Sequence, residues 1–248
     1  MKRLLLTLSA LAVLGCLATT AHAQSGLNLY WDGCPNAGVA NKDFTCDNEF
    51  DEFVAYGTFV APAGLDGAAG TLLNGQDIVI DILSESANLP AWWDFTEGGC
   101  RPAGSLLMGF TRPTNCSAYR NYWAAGAGGV AAYRNSTTPG APTPGPNRAR
   151  IIGAAGIGDA NTGVITAGSN VFSFSMTIGA TGTSTCANCA TKMCLVLNQI
   201  TLGKQDGEQI PVTDVAVSRT ITFNGAGPDC SVAPVRNTTW GQVKALYR

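Results

Sequence analysis

Histidine is almost absent from this sequence: there is one, His22, in a chain of 248 residues. Charge is sparse as well. Asp, Glu, Lys and Arg together make up 13%, roughly half the usual share of a globular protein. No basic cluster occurs, so neither nucleic acid nor an anionic membrane surface is an expected partner. Long amphipathic helical patterns, repeats of fixed period and Ser-x-x-Lys pairs are missing too. What remains is rich in glycine, with 30, and in cysteine, with nine. Low charge combined with well-spaced apolar runs describes an extracellular β protein, not a disordered chain.

The N-terminus supplies an address. Lys2 and Arg3 precede an apolar run from Leu4 to Leu14, broken only by Thr7 and Ser9. Ala21-His22-Ala23 then has the small-x-small form that signal peptidase accepts. The run is too short for a membrane-spanning helix, which takes about 20 residues. Residues 1–23 therefore read as a signal peptide cleaved after Ala23. Val13-Leu14-Gly15-Cys16 offers a competing reading, a lipoprotein acylated at Cys16, although Leu14 fits that pattern poorly. Cleavage after Ala23 removes His22 and Cys16 together. The rest has no histidine and an even set of cysteines: Cys34, Cys46, Cys100, Cys116, Cys186, Cys189, Cys194 and Cys230. An even set in an exported chain predicts disulfides and a secreted or cell-surface location, periplasmic or extracellular. Without Lys2 and Arg3, 13 bases face 17 acids.

Period-two alternation recurs along the chain. Phe172, Phe174, Met176 and Ile178 share one face of a predicted strand, with Ser173, Ser175 and Thr177 on the other. Val215, Val217, Ile221 and Phe223 repeat the pattern with Arg219 out of place, and Ile78, Ile80 and Ile82 stand opposite Asp77, Val79 and Asp81. Further strands are expected at 27–31, 53–60, 105–110, 148–155 and 194–202, the last apolar on both faces near its start, as in a central strand. Pro62-Ala-Gly64, Asn74-Gly75, 159–163 and Asn224-Gly225 read as turns. The fold expected is all-β: an antiparallel β-sandwich of immunoglobulin-like, cohesin-like or jelly-roll-like build, stapled by disulfides and occupying 24–235. Ala124 to Ala132, rich in Gly and Ala, reads as a loop or close-packed turn. The proline-rich stretch 138–147 reads as a long connection or a weak boundary. A C-terminal helical segment, 236–248, is capped by Thr239 with Gln242 three residues on.

The missing histidine excludes Ser-His-Asp and Cys-His catalysis, histidine general bases and His-containing metal sites. No catalytic residue, cofactor or metal is assigned. Cys186, Cys189, Cys194 and Cys230 could form a four-thiolate zinc site, but export favours two disulfides tying the 194–202 strand to nearby loops. A redox role for Cys186 and Cys189 lacks its usual α/β setting. Cys34–Cys46 and Cys100–Cys116 are then the simplest remaining pairs, each closing a short loop worth about 3 kcal/mol. Asp43, Asp47, Glu49, Asp51 and Glu52 crowd one segment, and Asp159 with Asn161 begins a calcium-loop pattern, yet both read as solvated loops. Trp92-Trp93-Asp94-Phe95-Thr-Glu97 sets aromatics beside carboxylates. Trp92 or Trp93 could stack on a sugar ring with Asp94 binding its hydroxyls. Against this, adjacent strand residues point to opposite faces, so one indole is expected inside.

The chain resembles a group of secreted proteins of environmental bacteria. The matching features are Leu29-Tyr-Trp31-Asp32-Gly-Cys34, Leu89-Pro-Ala-Trp92-Trp93, Gly99-Cys100-Arg101, Gly145-Pro-Asn147-Arg148-Ala-Arg150, Cys186/Cys189/Cys194 running into 196–200, and the ending Thr239-Trp240-Gly241-Gln-Val243-Lys244-Ala-Leu-Tyr247-Arg248. The resemblance implies a bacterial host, and so makes sequons at Asn115, Asn135 and Asn237 irrelevant; it brings no activity. It also suggests that the ending is a recognition tail for secretion or surface attachment, against the plainer reading of a helix packed on the sandwich. The expectation is a non-enzymatic secreted or cell-surface binding or structural protein whose partner is a glycan or a surface protein. The alternatives are a carbohydrate-binding module using Trp92 or Trp93, and a secreted hydrolase using paired carboxylates.

Overall fold

The computed structural model describes residues 25–44, 52–65, 72–101, 103–139, 144–179, 186–225 and 230. The expected signal peptide, Cys16, Cys46, the acids at 47–51, Asn237 and the helical ending lie outside them. The described residues form eleven strands: β1 (Gly26–Trp31), β2 (Asn41–Lys42), β3 (Glu52–Val60), β4 (Leu73–Ser84), β5 (Leu106–Gly109), β6 (Ala127–Asn135), β7 (Arg148–Gly156), β8 (Asn170–Gly179), β9 (Met193–Lys204), β10 (Gln209–Val212) and β11 (Thr220–Phe223). They form two sheets, one in the order β1-β3-β8-β5 and the other β2-β11-β9-β4-β7-β6, with β10 also on β9. All pairs are antiparallel except β2 with β11. The sheets face each other across one core that joins Leu27, Leu29 and Phe59 to Ile78, Ile80, Leu197 and Phe223. The fold is an all-β sandwich.

Alternation explains most of this, and bulges explain the exceptions. Ile78, Ile80 and Ile82 are fully buried in β4, as their phase requires. In β8 the phase breaks. Phe174 pairs with Gly57 and Phe172 with Thr58, so Ser173 is an extra residue. Phe174, Met176 and Ile178 therefore face the core, whereas Phe172 packs on the outer face with Cys34, Cys116 and Tyr119. The expectation of one shared face fails at that residue. Ser173 turns inward and its hydroxyl donates to Gln76 Oε1 at 2.7 Å, while Gln76 Nε2 donates to the Ser173 carbonyl at 3.0 Å. The pair satisfies polar groups where the ladder is interrupted.

Other expectations are corrected. Asn74-Gly75 lies inside β4, at a register shift, and makes no turn. Ala124 to Ala132 contains the start of β6, which pairs along β7. Its side chains are small and mostly exposed or half-buried, so no apolar alternation marks it. The stretch 138–147 joins β6 to β7, neighbours in one sheet. Only Thr220–Phe223 of the 215–223 pattern is strand; Val215 and Val217 are exposed. β9 is central, between β4 and β11, as its doubly apolar start suggests.

The disulfides also differ from the shortest-loop expectation. Cys34 bonds Cys116, Cys100 bonds Cys186, and Cys194 bonds Cys230; Cys189 is disulfide-bonded as well. Folding brings together segments 82 and 86 residues apart, so sequence proximity is a poor guide to partners here. Among the described residues, no helix is long and apolar enough to cross a membrane.

Candidate functional site

The two long sides of the sandwich are built differently. On the β1 side the sheets are stitched together. Leu27 N–H donates to Asp214 O and Leu29 N–H to Ser218 O, both at 2.8 Å, and the Trp31 indole donates to Thr222 O at 2.8 Å. On the other side β5 and β6 each terminate a sheet. A terminal strand pairs along one edge only, so its other edge carries backbone donors and acceptors outward.

Between those two edges runs a groove of about 830 Å³. Leu106, Leu107 and Met108 form one wall, and Gly128 to Val130 with Ala132 and Tyr133 the other. Phe95, Thr96 and Glu97 close one end beside Thr137, Thr138 and Pro139. Small residues on β6 keep the groove open. Gly128 is forced as well, because a Cβ there would clash with the Ala154 carbonyl and the Phe110 ring. Leu107 is 57% exposed on the rim, whereas Leu106 and Met108 are buried beneath it. The lining is mixed: Leu106, Met108 and Val130 supply apolar surface, Thr96, Thr137 and Thr138 supply hydroxyls, and Glu97 is its one carboxylate.

The segment singled out from sequence does reach this groove, but with other residues. Trp92 is 7% exposed and Trp93 is fully buried. Their backbone is a 3-10 turn, Ala91–Trp93, not a strand. Successive side chains on such a turn diverge by about 120° instead of 180°, so both indoles can point inward. They enter an aromatic cluster in which Trp92 stacks on Phe223 and Trp93 meets Phe223 and Phe95 edge-on. Neither indole is offered to a sugar, which corrects the stacking expectation for Trp92 and Trp93. Asp94 is committed too: its Oδ1 accepts from the Thr96 hydroxyl at 2.6 Å and from Asn135 Nδ2 at 3.1 Å. The Tyr133 hydroxyl donates to the Trp93 carbonyl. Burial, aided by the Asp94 charge, holds that phenol far above its usual range and therefore neutral.

Arg101 carries a signal that sequence reasoning missed. Its side chain is 1% exposed, and the guanidinium lies 4.3 Å from the centre of the Trp92 ring. Nη2 donates to the Gly179 carbonyl, Nε has no partner, and burial pushes the pKa down. No carboxylate among the described residues pairs with it. The aromatic faces take that place. The neighbouring Cys100–Cys186 bridge fixes Arg101 over the cluster.

Several acids among the described residues are committed to other partners. A second hollow of about 680 Å³ holds Asp77 and Glu208, but Glu208 is ion-paired to Lys204 at 2.5 Å. Asp81 is bidentate to Arg150 at 2.6 and 2.7 Å and accepts from Asn198 at 2.8 Å. Asp159 accepts from Gln205 Nε2 at 3.0 Å. No group of three metal-ligating side chains occurs among the described residues.

No protein-family model matches the sequence, and no curated protein does. Among solved structures, a cohesin module from a family 33 glycoside hydrolase of Clostridium perfringens aligns with 81% of this chain and 98% of its own, at 11% identity and a TM-score of 0.29. The Iho670 flagellar-like filament aligns with 87% of this chain and 97% of its own, at 17% identity and a TM-score of 0.17. Likenesses this distant carry nothing about function.

Proposed function

We propose that this protein is a non-enzymatic binding module of the secreted or cell-surface kind, and that it captures an extended segment of a partner polypeptide in the groove lined by β5 and β6. The carrying observation is the asymmetry of the sandwich, stitched along β1 and open along β5 and β6. An extended peptide is the ligand whose own backbone donors and acceptors match a strand edge, while its alternate side chains meet the apolar wall. Gly129 and Ala132 leave room for a backbone to approach, and Leu106, Met108 and Val130 supply the contact that a neutral side chain needs. Disulfides fit an oxidising location. Among the described residues, the acids of the second hollow are not a free pair, since Glu208 is ion-paired to Lys204, and the indoles at residues 92 and 93 are buried.

The test is a display library of short extended peptides screened by interferometry. Binders are expected, and Val130→Asp and Leu107→Lys should each weaken them roughly tenfold, because each puts charge on the wall or rim. Absence of binders, or binders indifferent to both variants, overturns the reading.

A further inference from the structure

The outer face of the seven-stranded sheet is closed off in a way that its own strands do not account for. Ile80 and Ile82 of β4 and Leu195 and Leu197 of β9 face the core, so alternation turns Asp81, Leu83, Cys194, Val196 and Asn198 outward. They are neighbours in register: Leu83 pairs with Cys194, and Asp81 with Val196 on one side and Arg150 of β7 on the other. An uncovered sheet face leaves such side chains wet. Here Leu83 is 5% exposed, Val196 2% and Asn198 3%, although Leu83 and Val196 stand outside both apolar clusters. The Asp81–Arg150 ion pair beside them is mostly buried as well.

Two further observations bear on what lies there. The Cys194–Cys230 bridge rises from this patch and so holds Cys230 on the outside of the sheet. A single cystine shields Cys194 but cannot span β9, β4 and β7, a breadth of about 10 Å. Asn198 Nδ2 donates to Asp81, yet Oδ1 is buried with no partner among the described residues. A buried acceptor calls for a donor from whatever covers it. From Cys230 the chain runs on through residues 231–248, whose reach at about 3.3 Å per residue is several times that breadth. The segment carries Val235, Trp240 and Val243 to meet Leu83 and Val196, and Asn237 and Gln242 as side-chain donors. It contains no Asp or Glu, so it brings no rival for the Arg150 guanidinium.

We propose that residues 231–248 lie across the outer face of β9, β4 and β7 as a third layer, anchored by Cys230 and seated on Leu83 and Val196, with a donor reaching Asn198. The segment is then part of the folded domain, withdrawn from solution, and not a free appendage. The bridge makes the contact intramolecular, so weak apolar contacts suffice to hold it.

Trp240 reports on this directly. Trp31, Trp93 and Trp123 are fully buried and Trp92 nearly so, which leaves Trp240 as the one tryptophan that docking must shield. In the intact disulfide-bonded protein, iodide should barely quench the emission, at any protein concentration. Val196→Asp puts a charge beneath the segment and should raise quenching severalfold. Adding Trp240→Phe should abolish that rise; a rise that persists means that the sandwich itself has opened, and trypsin then decides. Cleavage of the unaltered protein after Arg236 and Lys244 should be roughly a hundredfold slower than in a synthetic peptide of residues 231–248. Trp240 quenched as in that peptide, cleavage at the peptide's rate, or a Trp240 still shielded in Val196→Asp overturns the proposal. Protection that is lost on dilution would put the segment of a second copy on this face, and overturns it too.

Discussion

Gln76 occupies a core position of β4, in phase with Ile78 and Ile80, yet it is a polar residue and almost wholly buried. Its amide meets both the hydroxyl and the carbonyl of Ser173, so each sheet supplies half of a closed hydrogen-bonded pair. Gln76→Leu would fill the space but leave the Ser173 carbonyl and hydroxyl facing hydrocarbon. It should cost about 2 kcal/mol by urea unfolding. Adding Ser173→Ala should recover only part of that, because the carbonyl stays unpaired. Asp77, the next residue, tests the opposite case. Burial raises its pKa from the ordinary 3.8 with no opposing partner. Below the unfolded value both states are protonated and nothing is gained or lost; above the folded value the fold must hold a charge it disfavours. Stability contributed by this group therefore falls as pH rises through that window. Asp77→Asn should raise the melting temperature at pH 7 and leave it unchanged near pH 3. Equal gains at both pH values would count against a desolvation cause.

Strand phase decides which side chains meet, and the bulges reset it. The Phe174 ring crosses β3 at Gly57, where a Cβ would overlap it. Gly57→Ala should therefore destabilise by about 1–3 kcal/mol, measured by thermal unfolding, and Phe174→Leu in the same chain should relieve part of the loss. Most of the ladder was legible in the sequence because apolar residues at period two need burial on one side: β1, β3, β4, β7, β8 and β9 follow that rule. The face of Phe172 was not, because a bulge is a single unpaired residue with no compositional mark of its own. β6 was hidden for a different reason. Gly128 answers to the close approach of Ala154 and Phe110, not to amphipathic patterning. The candidate groove lies along that strand, so it shared the strand's invisibility. Only the end wall, Phe95 to Glu97, fell within the segment that composition had marked.

On the scale of the whole molecule, the cross-links join places that the chain order keeps apart. Cys34–Cys116 ties β1's exit loop to the segment covering the outer face, and Cys100–Cys186 ties the aromatic end to the approach to β9. Loops of this length restrict the unfolded chain by about 4–5 kcal/mol each in the chain-entropy model. Replacing Cys34 and Cys116 together by Ala should lower unfolding stability by about 4 kcal/mol in urea, whereas a short-loop pairing would lose nearer 3 kcal/mol. The two bridges also interleave: Cys100 lies inside the span of the first, and Cys116 inside the span of the second. A chain that emerges from its N-terminus holds Cys34 with Cys46 before Cys116 exists, and Cys100 with Cys116 before Cys186 exists. Neither early pairing is native. Any such bond formed before the chain is complete has to be undone by thiol exchange before the interleaved bridges can close.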